Sequence, residues 1–143
     1  MRRPAKVYVA GEAEAAMIVL SVPLSFWGGI DAATGRIIDH SHPALGTSIA
    51  GRILVMPSGR GSSSSSSVLA ETIRRGTGPR GIVLAHPDPI LTVGAIVAGA
   101  LYDLRCPIVI CSIDGLRSGD ILRVSAAVPD AAEICLIESL HAH

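Results

Sequence analysis

Apolar positions gather in short aliphatic or β-branched runs: Lys6–Ala10, Ala16–Val22, Arg36–Asp39, Ile53–Met56, Ile82–Ala85, Pro107–Cys111, Ile121–Ala126 and Glu133–Ile137. Each is bounded by Gly, Pro, Asp or Ser, the pattern of strands separated by turns. Gly29 to Asp39 reads as a β-hairpin turning at Thr34-Gly35. Helical spacing occurs at two places. From Ser63 to Arg75, the residues Val68, Leu69, Thr72 and Ile73 make one narrow apolar side, and Glu71 precedes Arg75 in the order that favours an ion pair. Arg74 and Arg75 complement the negative end of this helix, and Gly76 can take the left-handed stop. A second helix is predicted from Pro89 to about Tyr102, with Asp88 as its cap and Pro89 at its first position. Its small residues (Gly94, Ala95, Ala98, Gly99 and Ala100) allow another element to pack close. With no repeat and no linker, the pattern predicts one α/β domain over 1–143, largely β in its core.

Composition sharpens this. The 143 residues are 49% hydrophobic and 17% charged, which excludes the disordered class. Aromatics are nearly absent, with only Tyr8, Phe26, Trp27 and Tyr102, so Ala, Val, Ile and Leu must build the core. Formal charge is zero with no basic stripe, which argues against nucleic acid as a partner. So little charge on so apolar a chain suggests surface covered by another subunit. Glu12 and Glu14 interrupt the N-terminal stretch before any long apolar run, so no signal peptide is expected. The longest apolar run, Ile90 to Leu101, falls short of the ~20 residues that a bilayer span requires. Cys106, Cys111 and Cys135 lack CxxC spacing and sit in or beside apolar runs. They read as reduced, packed thiols of a cytoplasmic protein, with no metal expected in this chain.

The chemistry concentrates between Ile53 and Gly76, where a buried strand leads into Gly59-Arg60-Gly61 and then the serines Ser62 to Ser67. A serine tract is often a flexible linker. Here it joins strand to helix with no room for a domain boundary, which favours a structured site. The glycines let backbone approach a ligand, and the helix start offers outward-pointing amides, together an anion site. It is no Walker loop, since the GxxxxGK[ST] spacing is absent.

Other constellations weigh less. His40 and His42, two residues apart beside Asp39, have the spacing of a metal pair on one strand face, but no third ligand stands nearby, so a polar turn is favoured. Asp31 and Asp39 form either a carboxylate pair or, preferably, the solvated ends of the hairpin. Phe26-Trp27 is open between a core plug and a contact with a partner. His86 is expected to cap or face solvent, and the tail His141-Ala142-His143 to fray.

Gly59-Arg60-Gly61-Ser62-Ser63 resembles the Gly-x-Gly-Ser-Ser loop of the swivelling domain in aconitase-type hydro-lyases. With Phe26-Trp27-Gly28-Gly29-Ile30-Asp31, Thr34-Gly35-Arg36-Ile37-Ile38-Asp39, His42-Pro43, Gly46 and Gly51-Arg52-Ile53-Leu54-Val55, nearly the whole chain is similar to the small, swivel-type subunit of the aconitase X family. The resemblance implies a swivelling β/β/α fold and a dehydratase split over a heterodimer. A large catalytic subunit would carry an iron–sulfur cluster, and this chain would close over a small hydroxy acid. By position, Ser62 would be the proton acceptor, with Arg60, Gly61 and Ser63 contacting substrate. Ser64 and Ser65 replace the Arg-Glu that follows the two serines in aconitases. Two substrates are represented in the family, cis-3-hydroxy-L-proline and a phosphorylated mevalonate; the Ala, Gly and Arg richness of a GC-rich bacterium leans toward the first. A non-enzymatic anion-binding module and a purely structural or regulatory subunit are the rival expectations.

Overall fold

The computed structural model describes residues 1–140, so the expectation for the terminal histidines lies outside the described residues. Its elements are β1 (Arg2–Pro4), β2 (Lys6–Val9), β3 (Glu12–Val19), α1 (Phe26–Gly29), β4 (Ile30–Asp31), β5 (Arg36–Ile37), β6 (Ile53–Met56), α2 (Ser65–Arg75), β7 (Gly81–Leu84), α3 (Pro89–Tyr102), β8 (Ile108–Ile110), β9 (Ile121–Ser125) and β10 (Glu133–Glu138). One sheet runs in the order β1-β10-β9-β3-β6-β7-β8-β2, and β4 pairs with β5 apart from it.

Strand β3 joins two halves of that sheet. Its first residues pair antiparallel with β9, and Met17 to Val19 pair parallel with β6. On one side β6, β7 and β8 are parallel, linked by α2 and α3; on the other, β9, β10 and β1 are antiparallel. Only Ala5 separates β1 from β2, which occupy opposite ends of the order, so the sheet curls back toward itself.

This topology explains why β6 and β7 are buried along their whole length. Successive side chains point to opposite faces. Ile53 and Val55 meet Met17, Leu122, Val124 and Ile134 between the two halves of the sheet. Leu54 and Met56 face the other way, into a core capped by Leu69, Leu91 and Ala95 of the helices. Two cores between three layers make the β/β/α arrangement. Gly94 brings the helices together: a Cβ there would lie 2.7 Å from the Ser66 carbonyl oxygen.

Differences from expectation have local causes. β3 begins at Glu12 because Glu12 and Glu14 alternate with small alanines and Glu14 meets Arg123 across the ladder at 2.9 Å. β5 ends at Ile37, since the Asp39 carboxylate folds back onto the Ser41 amide at 2.9 Å. Neither β1, an edge strand carrying Pro4, nor the kinked turn α1 shows a periodic signal. Glu71 pairs with Arg74, at 2.6 Å, rather than with Arg75. That pair holds the Glu71 carboxyl below its usual range. Asp88 does cap α3, and Gly76, at φ 76°, ends α2.

Candidate active-site loop

Strand β6 delivers the chain to Gly59, which pairs as an isolated bridge with Leu24; the Arg60 amide donates to the Leu24 carbonyl at 3.1 Å. Neither Gly59 nor Gly61 has positive φ. Gly59 is small because its Cα abuts the start of α3: a Cβ would stand 1.9 Å from Oδ2 of Asp88. A Cβ on Gly61 would meet nothing within 4 Å, so nothing in this chain requires a glycine there.

Helix α2 starts two residues later than its spacing predicts. Ser64 is its N-cap, yet has αR geometry and makes no side-chain capping bond. Ser62 therefore lies upstream of the cap, and its carbonyl accepts from the Ser65 amide at 3.0 Å. Since the dipole's influence fades within the first turn, Ser62 receives less of it than a true cap would.

The serines divide the work. Ser65 is buried; its hydroxyl accepts from the Trp27 amide at 3.1 Å and lies 3.3 Å from Ser25 Oγ. Ser66 donates to the Ser63 carbonyl at 3.0 Å and packs against Gly94. The tract is structured by contacts on both sides. Arg60, Gly61 and Ser62 line a crevice with Ser65, Asp88 and a floor of Leu24, Phe26 and Leu91. Ser63 does not line it. Ser65 and Asp88 were not anticipated there, and only the Asp-Pro cap signature pointed toward Asp88. The crevice is too narrow to admit even a water molecule, so this chain alone presents a lip, not a pocket.

Charge at the lip is nearly balanced. Arg60 reaches Asp39 at 3.9 Å, a pairing across the fold that the hairpin reading missed. Hydrogen bonds from the Ser41 hydroxyl and amide, helped by Arg60, hold the Asp39 carboxyl below its ordinary value. Asp31 instead serves its own turn, accepting from the Ala33 amide and the Thr34 hydroxyl.

His42 is buried with both ring nitrogens engaged: Nδ1 accepts from the Ala44 amide at 3.0 Å, so Nε2 carries the proton it gives to the Val22 carbonyl, also at 3.0 Å. It locks a loop; His40 and His86 are exposed. Among the described residues no group of three His, Cys, Asp or Glu side chains could hold a metal ion. Cys106, Cys111 and Cys135 form no such group, so they do not offer the clustered thiolates that hold an iron–sulfur centre. Burial pushes the Cys106 thiol up to about 12 and raises Cys111. Phe26 is a core residue, as the plug reading has it, whereas Trp27 is exposed.

The model of the aconitase X swivel domain matches residues 3–133. This chain belongs to that family. A cis-3-hydroxy-L-proline dehydratase of Hypocrea jecorina is 41% identical over 106 residues, covering 74% of this chain but 18% of the relative. The chain thus spans under a fifth of that protein's length. The phosphomevalonate dehydratase small subunit of Thermococcus onnurineus is 36% identical over 131 residues, covering 88% of this chain and 93% of the relative. Among solved structures, holo aconitase X of Thermococcus kodakaraensis superposes with a TM-score of 0.85 at 33% identity, covering 96% of this chain and 99% of that one. The three-layer fold is that of the aconitase X swivel domain. No helix among the described residues is long and apolar enough to cross a membrane.

Proposed function

We propose that this chain is the swivel subunit of an aconitase X-type dehydratase, and that Ser62 takes the proton in an active site shared with a large catalytic chain. The reading is carried by the lip itself: Ser62 borders a crevice too narrow for a water molecule, next to a glycine whose openness serves no neighbour in this chain. In the elimination, Ser62 acts as its alkoxide: Oγ takes the proton from the carbon beside a carboxylate and becomes the neutral hydroxyl. The freed electron pair forms the double bond, and hydroxide leaves the adjacent carbon. Arg60 and the Gly61 amide, which line the crevice beside Ser62, orient the carboxylate.

A serine hydroxyl is a poor base, and each unit of pKa shift needs about 1.4 kcal/mol. A helix N-terminus contributes about 0.3–1 kcal/mol, less for a residue ahead of the cap. That is a unit at most. The remainder must come from cations and a dry cavity supplied by the second chain. On this reading the iron–sulfur cluster that the family resemblance implies belongs to the large chain, and the isolated swivel subunit is silent.

Cis-3-hydroxy-L-proline is the first substrate to test. Among the described residues the crevice is lined by one cation, Arg60, which is shared with Asp39 and suits an amino acid carboxylate better than a phosphorylated acid. Phosphomevalonate is the second, favoured by the near-complete mutual coverage with a phosphomevalonate dehydratase small subunit. Assay of the reconstituted pair on both substrates tests the proposal. Ser62→Ala should lower kcat by about 10²–10⁴-fold, the usual range for an acid–base group. Near-normal turnover would remove Ser62 from the role, and phosphate binding by a chain that finds no partner would make it an anion-binding module instead.

A further inference from the structure

We infer that the large chain seats on the excursion that carries the exposed Trp27, and that Trp27 is its anchor. This rests on the shared-site reading above. Trp27 is 59% exposed, and Val22, Ile38 and Leu45 are 38%, 45% and 46% exposed. All four belong to the excursion between β3 and β6, which folds into one piece. The His42 ring bonds the Val22 carbonyl at 3.0 Å, the Leu45 amide bonds His42 at 3.2 Å, and the Ile38 amide bonds Gly29 at 2.9 Å.

Tryptophan is enriched among the hot spots of protein interfaces, and a preorganised backbone beneath it lowers the cost of docking. The Trp27 backbone is held. Its amide donates to the buried Ser65 hydroxyl, its carbonyl accepts from Ser25 Oγ at 3.0 Å, and Phe26 before it is fully buried in the crevice floor. Gly28, at φ 77°, leaves open space beside it. The Arg60–Asp39 pair supplies a polar rim at the catalytic edge.

The occupant follows from position. The indole's own backbone is tied to the serine tract, so whatever covers it lies against the lip. A second copy seated there would shut substrate out. The large chain is the one partner that both covers this surface and completes the crevice.

The chain has a single tryptophan, which makes it its own reporter. The swivel subunit labelled with 5-fluorotryptophan, titrated with unlabelled large chain, should show its one fluorine resonance shift as the complex forms. Trp27→Ala should weaken association at least tenfold, whereas Ser62→Ala should bind like the parent. An unmoved resonance in a complex verified by sedimentation overturns this inference and leaves the shared-site reading standing. So does parental binding by Trp27→Ala, or a larger loss from Leu101→Gln at the far end of α3. A resonance that shifts with the concentration of the swivel subunit alone assigns the surface to self-association and also overturns it. Failure to form any complex removes both readings.

Discussion

Helices α2 and α3 leave the sheet in the same way, each after a parallel strand, and pack side by side, yet their starts are opposites. Asp88, in extended geometry, accepts from the Ile90 and Leu91 amides, both at 3.0 Å, and Pro89 follows it. The α3 start is closed by its own sequence. Ser64 makes no capping bond, and eight residues of loop precede α2 where four precede α3. The start of α2 is left open although serine is a good N-cap residue. One helix spends its polar residue on its own amides, and the other keeps its serines for the crevice, for Trp27 and for Gly94.

That contrast can be broken at several points. The largest effect on folding is expected from Gly59→Ala, where the new Cβ would strike the Asp88 carboxylate and disturb both helix starts together. Overpacking of this kind costs about 1–3 kcal/mol, readable as a lower denaturant midpoint with accompanying loss of activity. Gly61→Ala should leave that midpoint unchanged, since its Cβ meets open space, but lower turnover by the reconstituted pair. Equal destabilisation by the two would erase the distinction between them. Next, Asp88→Ala should cost about 1 kcal/mol as a lost cap, while Ser64→Ala should fall within about 0.5 kcal/mol of the parent. Matching losses would show that Ser64 caps α2 after all.

The smallest effect concerns Asp39. Its folded value lies below the ordinary 3.8, mainly through Ser41 and then through Arg60. The stabilisation is therefore complete at neutral pH, above the unfolded value, and is lost as pH falls through the folded one. A carboxyl NMR titration should place its midpoint below 3.8, and Arg60→Gln should move it upward only slightly, because the hydrogen bonds to Ser41 remain. A large upward shift would make the Arg60 pair the main hold on that loop.

Much was legible from neighbours in the chain. Asp88-Pro89 announced the start of α3, and Gly76 the stop of α2. The misread elements fail for a shared reason. The strand at Glu12 and the edge strand at Arg2 hold through partners more than a hundred residues away, at Arg123 and Cys135, and carry little propensity of their own. The serine tract was ambiguous for the same cause, because a run of identical residues gives no hint which hydroxyl turns inward.

What the sequence determined by itself is whatever acts within a turn or two: the short strands, the α3 cap, the glycine stop and the order of motifs that marks the family. The closed tertiary structure decided the rest. It put Asp88 against Gly59, Asp39 beside Arg60, and the Ser65 hydroxyl under Trp27, 38 residues away. Each of these contacts forms only once the sheet has brought distant segments to one end, and hydrogen bonds and packing fall off within a few ångströms, so no local pattern can encode them.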